Sequence, residues 1–122
     1  MSRILVVDGH PGSDSLCSSL ARHYAAGARA AGARVDLLVL RDLAFDPDLH
    51  RGRGGEQALE PDLMRAQHAL VDADHVVVVT PVWWGSVPAR LKGFLDRTLE
   101  ASWAYRYRDN GLPQGLLTGR TA

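Results

Sequence analysis

Cysteine is almost missing from this sequence: Cys17 stands alone. That excludes an internal disulfide, leaves too few thiolates for a cysteine-based metal site, and fits a reducing, cytoplasmic setting. Neither sign of charge is in excess, with 14 basic residues against 14 acidic ones. No long-range field then draws the protein to nucleic acid or to an anionic membrane, and partners have to be recognised locally. Long apolar runs are lacking as well. The first, Ile4 to Gly9, already contains an aspartate and is far shorter than a signal-peptide core or a bilayer span, so neither export nor membrane insertion is expected. Internal repeats, low-complexity tracts and interdomain linkers are missing too. Arg51-Gly52-Arg53-Gly54-Gly55 reads as a mobile surface loop.

What is present suits one globular domain. The 122 residues are 46% hydrophobic and only 23% charged, enough apolar surface to bury a core. Ile4-Leu5-Val6-Val7 followed by Asp8-Gly9 is the pattern of a strand covered on both faces that ends in a loop. Leu16, Leu20, Tyr24 and Ala28 then recur every four positions up to Gly32. This predicts an amphipathic helix that buries that stripe, starts at a Ser13 or Asp14 cap and closes on the glycine. Arg34 to Leu40 alternates at its front and reads as a second strand near a sheet edge, followed by a polar loop from Arg41 to Gly55.

Pro61 opens a second helix, which ends near Asp72 and has Leu63, Met64, Gln67, Leu70 and Val71 as its expected inner face. His75 to Thr80 holds four consecutive valines with no polar face, and such a strand is expected to be central. Pro88 starts a third helix with Leu91, Leu95 and Leu99 on one stripe and Arg90, Lys92, Asp96 and Glu100 elsewhere. Ser102 to Ala122 shows no strong strand pattern.

Strands separated by helices of this length imply right-handed crossovers and a three-layer, doubly wound parallel α/β sheet in the order 2-1-3. In that bare order the valine-rich strand sits at an edge, where its free backbone groups would template unwanted pairing. A fourth strand beyond Ala122 is therefore expected, making 1–122 a single domain incomplete at its C-terminus.

In open α/β sheets ligands bind beyond the carboxyl ends of the strands where the winding reverses, here the loops after the first and third strands. The first loop, Gly9-His10-Pro11-Gly12-Ser13-Asp14-Ser15-Leu16-Cys17, offers free N–H groups at a helix start, a setting that favours phosphate. Ser and Asp there equally serve as ordinary caps. The loop lacks GxGxxG and the Gly-Lys-Ser/Thr of a Walker loop. Cys17 falls inside the predicted helix and not in a thiolate cradle, so it reads as a small packing residue. The second loop, Thr80-Pro81-Val82-Trp83-Trp84-Gly85-Ser86-Val87-Pro88, sets two adjacent tryptophans between prolines. One local turn cannot bury both, so at least one is expected to face a flat ligand or a partner; core packing is the competing reading.

Gly9-His10-Pro11 with Ser15, the block Pro81 to Phe94, and Trp103-Ala104-Tyr105-Arg106-Tyr107 together resemble the flavodoxin-like NAD(P)H:quinone oxidoreductases, with Phe45-Asp46-Pro47 and Pro61-Asp62-Leu63 in the expected intervening places. The resemblance spans essentially the whole chain. It implies a flavodoxin-like fold with strands 4 and 5 missing, and a bound FAD or FMN that takes hydride from NAD(P)H and passes it to a quinone-like acceptor. It implies that His10, Ser15, Leu16 and Cys17 hold the flavin's phosphate end, that Pro81, Val82, Trp83, Trp84 and Gly85 lie along the ring, and that Tyr105 and Tyr107 act at a shared nicotinamide and quinone pocket. It also implies a homodimer with the active site near the subunit boundary. Trp83 and Cys17 depart from the residues many relatives carry there. The alternative is a truncated, non-catalytic relative that acts as a binding or regulatory partner.

Overall fold

The computed structural model describes residues 1–52 and 55–122; Arg53 and Gly54, within the segment expected to be a mobile loop, lie outside the described residues. Strand β1 (Arg3–Asp8) leads to helix α1 (Leu16–Ala30), then to strand β2 (Arg34–Val39) and a short 3-10 turn at Leu40–Asp42. Helix α2 (Pro61–Asp72), strand β3 (His75–Val79) and helix α3 (Ala89–Thr98) follow, and a hairpin of β4 (Tyr105–Tyr107) and β5 (Pro113–Gly115) comes last.

The main sheet is parallel in the order β2-β1-β3, with Val6 opposite both Leu37 and Val77. Two layers of core flank it. Leu5, Val7, Leu40, Leu63, Ala66, Leu91 and Phe94 pack on the α2/α3 side, and Val6, Ala21, Ala25 and Val35 on the α1 side. Burial of a Leu, Val or Phe side chain stabilises by about 1.5–3 kcal/mol, which makes β1, buried from Leu5 to Asp8, the axis of the fold.

The order 2-1-3 is the one expected; five other expectations need correcting. The centre of the sheet is β1, not the valine-rich strand: β3 lies at the edge and Val78 is 44% exposed. A continuous apolar run reports burial without reporting order, because order depends on where the crossovers land. Among the described residues the outer side of β3 is met only at its start, where the Val76 N–H donates to the Thr121 carbonyl at 2.9 Å and the Thr121 N–H to the Asp74 carbonyl. That single parallel bridge, His75 to Thr121, has the geometry of a further strand joining at β3.

The inner face of α1 is also not the expected stripe. Ser18, Ala21 and Ala25 are buried, whereas Leu16, Leu20 and Tyr24 are exposed. Alanine lets the helix axis approach the sheet closely, so the small residues take the contact and the large ones turn outward. Its cap is Ser15, whose Oγ accepts the Ser18 N–H at 3.0 Å, rather than Ser13 or Asp14; the Gly32 closure, at φ +95°, is as expected. In α2 the buried residues are Leu63 and Ala66, while Met64 and Val71 are exposed. Finally, Tyr105–Tyr107 and Pro113–Gly115 pair as an antiparallel hairpin where no strand pattern could be read; segments this short carry too little periodicity.

The polar loop between β2 and α2 is held by one arginine. Arg97 on α3 has only 1% of its surface exposed, and its guanidinium donates to the carbonyls of Asp46 and Ala58 and to Glu60 Oε1 at 2.7 Å. Gly93, one turn earlier, lies so close to this loop that a Cβ there would stand 2.4 Å from the Pro47 Cβ and 2.6 Å from its carbonyl oxygen. The arginine clamp and the close glycine contact fix the loop base against α3. Among the described residues no helix is long and apolar enough to cross a membrane.

Candidate functional site

The loops after β1 and β3 meet at the carboxyl end of the sheet, where α1 leaves towards one face and α3 towards the other. The Gly9 N–H donates to the Val79 carbonyl at 2.8 Å, and a Cβ on Gly9 would press on Leu91 Cδ2 at 2.8 Å and on Val79 O at 3.2 Å. Glycine lets the first loop lie against the end of β3. One residue on, the His10 ring stands 5.4 Å from the Trp83 ring at 81°, an edge-to-face contact. The two loops singled out from the sequence therefore touch at the carboxyl end of the sheet.

The first loop offers donors without taking them up itself. Among the described residues the backbone N–H groups of Ser13, Asp14, Ser15, Leu16 and Cys17 meet no protein acceptor. They lie around the N-terminus of a 15-residue helix, where the dipole favours negative charge. His10 Nδ1 accepts the Gly12 N–H at 2.9 Å, which leaves the proton of the neutral ring on Nε2 as another donor. Leu16 is 75% exposed at the first helical position, and Cys17, partly exposed, is the second residue of the helix.

Below the loop lies a polar network that sequence reading missed. Asp8, the last residue of β1, is 2% exposed. It pairs with Arg41 of the turn after β2, Nη1 to Oδ2 at 2.8 Å, and its Oδ1 accepts the His10 N–H at 3.2 Å. The same Arg41 Nη1 donates to Ser18 Oγ at 2.9 Å, and Ser18 Oγ is 2.9 Å from Ser15 Oγ. Burial by itself would raise the Asp8 pKa, but the bonds from Arg41, Ser18 and the His10 N–H outweigh it and hold the carboxyl below its ordinary value. The available signal was an aspartate closing an otherwise apolar strand.

The second loop is a two-residue hairpin turn. Trp83 and Ser86 exchange both backbone hydrogen bonds, 2.9 and 3.0 Å, and Trp84 and Gly85 between them have φ of 53° and 70°, the positive pair of a type I′ turn that favours Asn-Gly. A tryptophan in the left-handed region is a strained choice, and such strain collects at functional sites. Trp84 is fully exposed, Val82 is 77% exposed and Trp83 45%, while Pro81 is half-buried at the end of β3. Of the two indoles Trp84 is the one turned fully outward.

Tyr105 and Tyr107 lie elsewhere. Their rings pack edge-to-face at 5.9 Å on the β4/β5 hairpin, and no hydrogen bond or ring contact joins them to His10 or Trp83 among the described residues. Tyr105 lines a cavity of about 1040 Å³ between the loop containing Leu49, Gln57 and Leu59 and the end of α3 at Leu95 and Leu99. Within one chain the fold brings His10 and Trp83 into contact, with Ser15 on the same loop as His10, and leaves the tyrosines apart from them. Among the described residues no cluster of His, Cys, Asp and Glu could hold a metal ion.

Residues 2–122 match a family described as of flavodoxin-like fold. The FMN-dependent NADH:quinone oxidoreductase of Azotobacter vinelandii is 34% identical over an alignment that takes in all of this chain and 68% of that protein. FMN-dependent NADH:quinone oxidoreductase 2 of Pseudomonas fluorescens is 32% identical with the same coverage. Among solved structures, a protein of Streptococcus mutans UA159 superposes with a TM-score of 0.81 at 29% identity over 97% of this chain and 63% of its own. The NAD(P)H:quinone oxidoreductase of Methanothermobacter marburgensis superposes with a TM-score of 0.75 at 25% identity, over 87% of this chain and 57% of its own. The chain thus spans about two thirds of the length of these relatives.

Proposed function

Because the chain belongs to the family of flavodoxin-like fold, we propose that it is a flavin-dependent oxidoreductase that binds FMN, takes hydride from NAD(P)H and delivers it to a quinone-like acceptor. The single observation that carries this reading is the contact of His10 with Trp83, which joins an anion-suited loop to an exposed aromatic turn. FMN is preferred to FAD because the similar proteins of Azotobacter and Pseudomonas carry FMN in their names.

The donor set fits such a molecule. Five successive N–H groups, the Ser15 hydroxyl and the His10 Nε2–H suit a phosphate, with Leu16 and Cys17 contributing through their backbone. Pro81, Val82, Trp83, Trp84 and Gly85 would hold a planar ring through indole contact and loop N–H groups. A bound flavin supplies the redox chemistry, accepting a hydride equivalent and giving it up again. The protein's share is to hold the phosphate end, keep water off one ring face and present donors where negative charge develops. No side chain of the cleft needs to act as a nucleophile.

Homodimerisation belongs to the same reading. Tyr105, half-buried, and Tyr107, exposed, on their hairpin apart from the His10–Trp83 contact, would border the nicotinamide and quinone pocket of a second copy. A cytoplasmic enzyme with one unpaired cysteine is consistent with this.

Titration of the purified protein with FMN tests the proposal. Quenching of flavin fluorescence, a bound yellow chromophore, and steady-state oxidation of NADH or NADPH with a soluble quinone are expected. Protein that stays colourless and quenches nothing would overturn it; binding without turnover would favour the non-catalytic relative.

A further inference from the structure

We propose that the cavity between the end of α3 and the loop before α2 is a binding site for an organic cation with an apolar body, such as an aromatic quaternary ammonium. The two loops of the flavin reading take no part in it, and the proposal does not depend on that reading.

The cavity holds about 1040 Å³, at the top of the range of about 300–1000 Å³ usual for small-molecule sites. Leu49 and Leu59 line it from the loop, and Leu95 and Leu99 from α3. All four are only half-buried. Apolar surface therefore stays uncovered on both walls, and a ligand with an apolar body would remove it from water. Tyr105, also half-buried, adds an aromatic ring to the lining.

Charge decides what kind of ligand this is. The basic side chains of the lining are already paired: Lys92 Nζ lies 2.7 Å from Asp96 Oδ1, and the Arg97 guanidinium is buried and bound to Glu60 Oε1. Glu100 differs, since among the described residues it makes no ion pair. Its Oε1 accepts the Gln67 Nε2–H at 2.8 Å, and the same nitrogen donates to the Thr98 carbonyl at 3.0 Å. A neutral amide thus fixes this carboxylate at the end of α3 without cancelling its charge. Glu56 is a further acidic side chain of the lining. The 10-residue helix α3 ends at Thr98, so its carbonyl end adds partial negative charge on the same side. Apolar walls, a negative rim and a tyrosine ring that attracts cations together select a positively charged apolar molecule. A neutral analogue gains only the walls, and an anion is repelled.

Three probes with the same benzyl body test this on the whole chain as purified: benzyltrimethylammonium, its uncharged analogue neopentylbenzene, and the anion phenylmethanesulfonate. In ligand-observed NMR titrations the ammonium should bind in the millimolar range or tighter, the neutral analogue more weakly, and the sulfonate not at all. Glu100→Gln should weaken the ammonium about fivefold and leave the neutral analogue unchanged. Glu100→Lys should abolish ammonium binding. Glu100 is exposed, so both variants should melt at the temperature of the unmodified protein. No ammonium binding, equal binding of the three probes, or ammonium binding that both variants leave unchanged overturns the proposal. An FMN titration of the same variants separates the two readings. Protein that binds the ammonium but no FMN upholds this site and sinks the flavin reading, whereas Glu100→Gln lowering both affinities alike shows that the cavity is not a site of its own.

Discussion

Two arginines show how differently this small fold uses a cation. Arg97 is fully buried and its guanidinium is bound on both terminal nitrogens, by two carbonyls and the Glu60 carboxylate. It fastens the loop between β2 and α2 to α3. Arg41, 20% exposed along its side chain, makes two bonds from one nitrogen, and beyond its partners lies a loop with five open N–H groups. The first region is closed: both terminal nitrogens of the guanidinium have acceptors within the protein. The second is held partly open at the end of the sheet, which is the condition for binding something else. Stability and binding thus reside in different parts of one domain, and substitutions in the two regions should have different signatures.

The sharpest break in that comparison is Arg97→Ala. Removing one partner of a buried pair should cost about 3 kcal/mol or more, seen as a fall in the denaturant midpoint. Flavin binding should survive in whatever fraction remains folded. Gly93→Ala attacks the same closed region sterically. Its Cβ meets backbone atoms of Pro47, which cannot step aside as a side chain can, so a loss of about 2 kcal/mol is expected from overpacking.

The open region should respond in the opposite sense. Trp84→Asn places a residue suited to the left-handed region at φ 53° and removes a fully exposed indole, so stability should rise by about 1 kcal/mol. FMN affinity should fall at the same time. A thermal melt and a flavin titration on one sample read both, and a variant losing stability would show that the indole is a packing residue after all.

The smallest expected effect is on pH dependence. For both Glu60 and Asp8, burial alone would raise the pKa, but bonds from Arg97 to Glu60 and from Arg41 and Ser18 to Asp8 hold it below its ordinary value. A carboxylate with a depressed folded pKa stabilises above its unfolded pKa and loses that contribution as pH falls through the folded one. Stability should therefore be steady from neutral pH down to the ordinary carboxylate range near ~4 and decline below it. Arg41→Lys should keep that profile. Arg41→Met should shift the decline to higher pH, and acid titration of tryptophan fluorescence would reveal it.

Much of the scaffold was legible because its signals are local and repeated. Four valines in a row mark β3, Pro61 and Pro88 mark where α2 and α3 begin, and the paired tryptophans mark the exposed turn. The errors have separate causes. On α1 the large apolar side chains were taken for the contact face, but close packing on a sheet selects by size as much as by hydropathy, so Ala21 and Ala25 lie inside and Leu16 and Leu20 outside. The Asp8–Arg41–Ser18 network joins residues up to 33 positions apart, and Arg97 reaches a loop 51 positions away; no periodic pattern encodes either. His10 and Trp83 were recognisable one by one, whereas their contact was not.

The sequence by itself determined the three long strands and the three helices, since periodicity and turn chemistry act over a few neighbouring residues. It also determined that the two loops at the strand ends would carry unusual residues. Only the tertiary structure decided that α1 buries alanines, that the tyrosine hairpin stands apart from His10 and Trp83, and that two arginines serve opposite ends. Each of these depends on distances between segments far apart in the chain, and those distances are set when the crossovers pack onto the sheet.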